Sequence, residues 1–408
     1  MRAMKKKILI TINTFSRAGA ETALLALFDK FDPEKFDISF FVLTGQGELI
    51  SELPPYVNVV NDVYDDTSVL SSAGKKKLFL SVLRAFLKRG NFVRLFPYLM
   101  KNMWDMIRRG SISKDKLLWR VISEGAQRSD AFYDLAIAYI EGGSTYYVAD
   151  HVKAAKKAAF VHIDYNSAGY TRALDLDCYS KFDKIFAVSN EVKQHFIDAY
   201  PEYEKKTDVF HNILNVSEIR RKALLHEGFT DGYDGTRILT VGRLTSQKAF
   251  EISVDAMKLL KETGEKFRWY VLGEGEDRSK LEQQIGELDL KDDFILCGAV
   301  DNPYPYLLQA DIYVHASRFE GKSIAIQEAQ ILGRAVLVSD CSGNREQVSD
   351  GVDGKLCLLA PEAIRDGVLW FMAHPDEKRK CAEAAERKYE KQENEINKLL
   401  SLIKEDGY

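Results

Sequence analysis

The chain has only five cysteines in 408 residues, Cys178, Cys297, Cys341, Cys357 and Cys381, and no Cys-x-x-Cys pair. That leaves neither a disulfide framework nor a thiolate zinc site, and reduced cytoplasmic thiols are the expectation. Long apolar runs are missing too. Nothing approaches the roughly 20 consecutive apolar residues that span a bilayer, so the protein is expected to be soluble or peripheral. The basic start, Met1 to Lys7, is like a signal n-region, but the apolar run after it, Ile8 to Ile12, is short and β-branched with no small-residue cleavage site. It reads as a first buried strand. A net charge of −4 excludes nothing by itself. No nucleic-acid module is recognisable, so nucleic acid is not an expected partner. No Asp-x-Asp turn closes a strand and no carboxylate cluster has metal-ligand spacing, so neither a metal nor a cofactor is expected.

What is present is ordinary for a soluble α/β protein: 46% hydrophobic and 29% charged residues. The chain is too long for one compact core, which points to two domains. Short β-branched runs alternate with helical patterns, the signature of parallel sheets wrapped by helices. One series covers residues 7–12, 38–43, 57–60, 134–139, 158–162, 184–188 and 207–211. A second covers 237–241, 268–272, 293–297, 311–315 and 335–339. The polar, Gly-rich stretch 228–235 between them reads as a linker. The expected architecture is α/β, with two Rossmann-like doubly wound parallel-sheet domains facing across a cleft. Domain bounds are 1–225 and 226–375, and a charged helix of roughly 378–403, within 376–408, could cross back onto the first domain.

Ligands of such sheets bind beyond the carboxyl ends of the strands. The most informative segment there is Glu320-Gly321-Lys322-Ser323, leading through Ile324 to Glu328 and an apolar helical pattern. A small-residue turn that opens a helix offers free N–H groups and the positive dipole end to an anion, and two carboxylates beside it suit sugar hydroxyls. An ordinary helix start with solvated acids is the plain alternative. The run Ile238–Val241 ends in Gly242-Arg243, with Lys248 five residues on, a pair of cations fit to grip a diphosphate. The turn Gly273-Glu274-Gly275 lacks the third glycine of a dinucleotide fingerprint, since Arg278 stands there. His162 closes a strand run with Asp164 beyond it, fit to meet a hydroxyl and to orient an acceptor, or to be structural. His211 and His315 fall inside strand patterns and read as core.

These residues, in this order, resemble the retaining glycosyltransferases of family 4, with the two-Rossmann-domain GT-B fold, of the bacterial capsule and surface-polysaccharide type. The likeness runs over nearly the whole chain. It is strongest in Gly242-Arg243 to Lys248, Gly273-Glu274-Gly275, Asn302-Pro303-Tyr304, Glu320 to Ala329, and Ser342-Gly343-Asn344-Arg345-Glu346. The resemblance implies transfer of a hexose from a nucleoside-diphosphate sugar, UDP by commonest usage, to a hydroxyl of a glycan or lipid-linked acceptor. Its implied catalytic positions are His162, Glu320, Arg243 and Lys248. Its implied donor-binding positions are Gly19, Ala20, Gly242, Arg243, Lys248, Gly273, Val300, Glu320, Gly321, Lys322, Ser323 and Glu328, with Asp164 on the acceptor side. Two residues depart from the pattern: Ala18 replaces the first glycine of a Gly-Gly-Ala-Glu loop, and Lys322 stands where an aromatic is common. The alternatives are a non-catalytic glycosyltransferase-like subunit or a GT-B sugar-nucleotide epimerase.

Residues 75–110 stand apart. Ten Lys or Arg and one acid, Asp105, lie between Lys75 and Arg109. Phe79, Leu83, Phe86 and Leu87 form one helical stripe, and Leu95, Leu99, Met103 and Trp104 another after a break from Gly90 to Pro97. The pattern fits an interfacial anchor on an anionic membrane, which would put the protein at the cytoplasmic face. It also fits stripes packed on the core, or a basic groove for a phosphorylated acceptor.

Overall fold

The computed structural model describes residues 5–69, 71–88, 91–109, 114–165, 168–225, 228–389 and 395–403. The chain forms two compact units, Met1–Leu214 with Asn394–Tyr408, and Asn215–Glu393.

The first unit holds a parallel sheet of seven strands: β1 (Lys6–Ile12), β2 (Phe36–Val42), β3 (Val57–Val59), β4 (Phe132–Ala138), β5 (Lys153–Val161), β6 (Lys184–Ala187) and β7 (Thr207–Val209). Their order is β3-β2-β1-β4-β5-β6-β7. The apolar run of β1 feeds both faces, because side chains alternate across a strand and a parallel sheet is covered on both sides. Ile8, Ile10 and Ile12 pack with Leu24, Leu27 and Phe28 of α1 (Gly19–Phe28), whereas Leu9 joins Phe41, Ala136 and Tyr146 on the other face. The chain's end returns to this unit. Ile396 and Leu399 enter the same core as Ile8, and Lys398 donates to the Val209 carbonyl at 2.9 Å.

The expected single charged helix over 378–403 is instead two, Pro375–Arg387 and Ile396–Leu400, and residues 390–394 between them lie outside those described. The second unit holds β8 (Thr236–Val241), β9 (Phe267–Leu272), β10 (Phe294–Gly298), β11 (Ile312–His315), β12 (Val336–Ser339) and β13 (Lys355–Cys357), all parallel, in the order β10-β9-β8-β11-β12-β13. The Gly-rich stretch 228–235 lies within this unit, where Asp231 is bound by Tyr270, Arg237 and Arg268.

Both sheets reverse their strand order once, between β1 and β4 in the first and between β8 and β11 in the second. At such a switch point the connections leave in opposite directions and open a crevice at the carboxyl ends of the two strands.

Three helices join β3 to β4: α2 (Ser72–Leu87), α3 (Asn91–Arg108) and α4 (Lys114–Gly125). Ser71 caps α2 by accepting from the Gly74 N–H at 3.0 Å. The expected break from Gly90 to Pro97 is shorter, since α3 starts at Asn91 and runs through Pro97. A proline removes the bond to the carbonyl four residues back; that residue is Val93, which is 74% exposed. Leu95, Tyr98 and Met106 of α3 pack against Leu117 and Val121 of α4. Of the expected α3 stripe, Leu99 and Met103 join that contact and Trp104 does not. Val93, Phe96, Met100, Trp104 and Ile107 instead line a second, solvent-exposed stripe, and Phe79, Leu83 and Leu87 are exposed on α2. Phe86 is half-buried beside Ala85 and Val121.

Candidate active site

The site of the second unit is built on its switch point. After β8, Gly242 and Arg243 lead into the short turn Ser246–Lys248. That turn is tied to the loop after β11, as Arg318 N–H donates to the Gln247 carbonyl and the Gln247 amide donates to the Phe319 carbonyl, both at 2.9 Å. The stem of Lys248 lies over Gly242. Its ammonium donates to Glu320 Oε1 at 2.5 Å and sits 3.2 Å from His315 Nε2. The same carboxylate oxygen receives Ser317 Oγ at 2.6 Å and lies 2.9 Å from His315 Nε2. His315 Nδ1 meets the Tyr313 hydroxyl at 3.0 Å.

His315 is therefore buried as the strand pattern implied, but it is the hub of a polar network rather than inert core. Burial pushes its imidazole downward and the Lys248 charge pushes it further, with Glu320 opposing. Burial pushes Glu320 upward, yet Lys248 and His315 outweigh it and hold the carboxyl well below the usual range. Lys248 and Glu320 are thus brought together as an ion pair, while Arg243 stays exposed.

Ser323 precedes the helix Ile324–Ile331, and its side chain makes no cap bond to that helix. The backbone turn Gly321–Ser323 therefore opens onto helix N–H groups that no side chain caps. Glu328, in that helix, is buried and accepts from the Tyr304 hydroxyl at 2.9 Å. Burial raises its carboxyl to about 7, with Tyr304 and Lys222 opposing. Gly273 has φ +153°, and a Cβ there would lie 2.0 Å from the Gly242 carbonyl oxygen. The Gly-x-Gly turn thus lets the β9 end loop press on the β8 end loop. Val300 is half-buried in the loop after β10.

In the first unit the switch point gathers other residues. Asn13, after β1, donates to the Glu141 carbonyl at 3.0 Å and accepts from Ser144 N–H at 2.6 Å. Ala18, Gly19, Ala20 and Glu21 form the start of α1, and Ala18 has φ −143°, an extended backbone alanine adopts freely. The missing first glycine therefore costs the loop nothing. His162 follows β5, its ring packed on Tyr139 and Phe160 at centroid distances of 5.0 and 6.1 Å. Burial lowers it to about 4, so it is neutral near pH 7. Asp164 is buried with His195 Nδ1 3.0 Å away, so its carboxylate already faces a cation-capable partner. One group that the linear spacing did not reveal, Glu124, Asp150 and His151, lies close enough to hold a metal ion. Arg120 and Lys181 already pair with Asp150, and Arg128 with Glu124.

Sequence reasoning missed His315, Ser317, Asn13 and Glu141. The first two stand five and three residues before Glu320, a spacing that a strand-to-turn reading could have exploited; Asn13 and Glu141 become neighbours only through the strand order.

Residues 231–388 match the family model described as glycosyl transferases group 1. Over 204 residues the chain is 30% identical to the N-acetylgalactosamine-N,N'-diacetylbacillosaminyl-diphospho-undecaprenol 4-alpha-N-acetylgalactosaminyltransferase of Campylobacter jejuni, covering 50% of this chain and 54% of that protein. The chain spans about half the length of the curated relatives it matches first. Among solved structures, HepE of Anabaena in complex with UDP-glucose aligns with a TM-score of 0.65 at 15% identity, over 97% of this chain and 98% of that one. TarM aligns with a TM-score of 0.67 at 12% identity, over 98% and 99%. At these identities the likeness is one of fold, and the fold is GT-B.

Proposed function

We propose that this protein is a retaining glycosyltransferase that moves a hexose from a nucleoside-diphosphate sugar, UDP being the favoured nucleotide, to a hydroxyl of a glycan or lipid-linked acceptor. The observation that carries this reading is the Lys248–Glu320–His315 network at the β8/β11 switch point, beside an uncapped helix start. The names of the relatives support it: the Campylobacter protein is named for an undecaprenol-diphosphate acceptor, and HepE was solved with UDP-glucose.

In this reading the anomeric C–O bond to the phosphate breaks while the acceptor oxygen bonds the same face of the sugar. The acceptor's proton passes to the departing phosphate oxygen, so no side chain need act as a nucleophile. The protein positions the groups and stabilises the charge on the leaving diphosphate. Arg243, exposed, and Lys248, held by Glu320, supply the cations that a metal would otherwise supply. The backbone of Gly321, Lys322 and Ser323 faces a phosphate from the helix start. Glu328, with Tyr304 behind it, accepts from ribose hydroxyls. In the first unit, Gly19, Ala20 and His162 are the candidate contacts to a sugar, and Asp164 to the acceptor.

Thermal-shift titration with UDP, GDP and ADP in EDTA tests the reading. A ligand at a hundred times its Kd stabilises by about 2.7 kcal/mol, a shift of several degrees. A shift with one nucleotide that survives EDTA supports it; no shift with any of them sinks it.

For the partner surface we propose the exposed stripes of α2 and α3. No helix among the described residues is long and apolar enough to cross a membrane. An apolar stripe flanked by the exposed cations Lys76, Arg84, Lys101, Arg108 and Arg109 suits the interface of an anionic leaflet, and thus a peripheral protein at the inner face of the membrane. Flotation with anionic and neutral vesicles at low salt tests it. Binding to the anionic ones only is the expected result, and failure to float with either overturns it.

A further inference from the structure

The carboxyl end of β4 carries an acid that the reading above leaves without a task. Glu141 is 6% exposed and stands at the β1/β4 switch point. Its Oε2 accepts from the His162 backbone N–H at 2.9 Å, and its own backbone N–H is the other donor. No side chain among the described residues donates to it; Lys116 is the cation whose field reaches it. An ionised carboxylate has about four acceptor sites, so at least one direction is left for a further donor. Burial without a bonded cation is costly, and burial pushes this carboxyl upward against the two backbone donors.

The neighbouring strand ends in a second open acceptor. His162 is hydrogen-bonded through its ring to the Tyr139 backbone, and its Nε2 is buried with no partner. The loops holding both groups are tightly set. Gly142 has φ +83°, and a Cβ at Gly143 would meet Leu43 Cδ2 at 2.5 Å and Asn13 Oδ1 at 2.8 Å. Asn13 joins β1 to the same turn through its two bonds. A frame with two unfilled acceptors is complementary to a ligand that brings donors. Sugar hydroxyls are such donors.

We propose that Glu141 is a specificity-determining residue that accepts a hydrogen bond from a sugar hydroxyl, with His162 Nε2 as the second acceptor of the same site. The sugar class rests on the proposed glycosyl transfer; the open acceptors do not. The hydroxyl belongs either to the transferred hexose or to the acceptor glycan.

Saturation-transfer NMR on wild type, Glu141→Gln and Glu141→Asp tests this with two probe sets, UDP-sugars and methyl hexosides in the presence of UDP. The amide oxygen of Gln still accepts the His162 N–H, and Asp keeps a carboxyl, so at least one of the two is expected to keep the wild-type unfolding temperature. If the hexose of the donor is the ligand, the folded variant keeps the uracil signals and loses the hexose-ring signals, with a tenfold or greater rise in the UDP-sugar Kd. If the acceptor is the ligand, UDP-sugar signals are unchanged and those of the methyl hexosides are lost. Identical spectra for wild type and variants in both sets overturn the proposal, as does a loss of uracil and sugar signals together. Wild-type protein that ignores UDP-sugars but binds a methyl hexoside through Glu141 overturns the glycosyl-transfer reading and leaves this one standing.

Discussion

Lys248 is the residue on which most of the site depends, because it serves two partners in turn. Without ligand its ammonium is neutralised by Glu320, so that neither charge is buried alone. A diphosphate arriving at the helix start would share that ammonium, while Ser317 and His315 keep Glu320 supplied with donors. A charge-assisted hydrogen bond contributes about 1.5–3 kcal/mol. Lys248→Ala or Arg243→Ala should therefore lower kcat/KM roughly ten- to a hundredfold, and wild-type turnover in both variants would remove the diphosphate assignment. Glu328 makes a separate prediction. Its carboxyl is raised to about 7 in the folded protein from an ordinary 4.5 when unfolded. The folded state then holds a proton that the unfolded chain releases first, so this stability is present below 4.5 and is lost as the pH rises to about 7. The loss is at most about 3 kcal/mol. Urea unfolding at pH 5 and pH 8 should show a smaller decline for Glu328→Gln than for wild type. Lys248, Glu320 and Glu328 were legible because each stands in a turn-to-helix pattern. His315 was not, since a strand period assigns a residue to a face and cannot tell an apolar neighbour from a carboxylate.

Among the elements, strands proved easier to read than helices. Twelve of the thirteen strands among the described residues coincide with apolar β-branched runs, as expected where both faces are buried. β13 escaped because Lys355–Cys357 is three residues long and only half-buried. β5 starts five residues before its apolar run, since Lys153, Lys156 and Lys157 mask the early part. On α3, apolar residues cover two faces, and sequence alone could not say which one met α4. The contrast is testable on one helix. Met106 is buried, and Met106→Ala should cost about 2–4 kcal/mol in urea unfolding. Trp104 is 63% exposed, and Trp104→Ser should change stability by no more than about 0.5 kcal/mol while weakening flotation with anionic vesicles. A large stability loss at Trp104 would mean that the exposed stripe packs on protein.

At the scale of the whole chain, the switch points are what no local pattern contains. Asn13 and Glu141 are 128 residues apart in sequence and bonded only because β4 pairs with β1. Gly242 and His315 close adjacent strands for the same reason in the other sheet. Each unit has its own sheet and its own core, and each can open by a transition of its own. The groups proposed to hold the donor, Arg243, Lys248, Glu320 and Glu328, all belong to the second unit. A ligand stabilises only the state that binds it. UDP should therefore raise the unfolding midpoint of the second unit, followed by the fluorescence of Trp269 or Trp370, and leave that of Trp119 in the first where it was. The chain's end gives the complementary case. Removing residues 394–408 takes Ile396 and Leu399 out of the first unit's core, at about 1.5–3 kcal/mol for each buried side chain. That truncation should lower the Trp119 transition and spare the UDP-induced shift of the other. If both transitions fall together, or UDP moves both equally, these expectations fail.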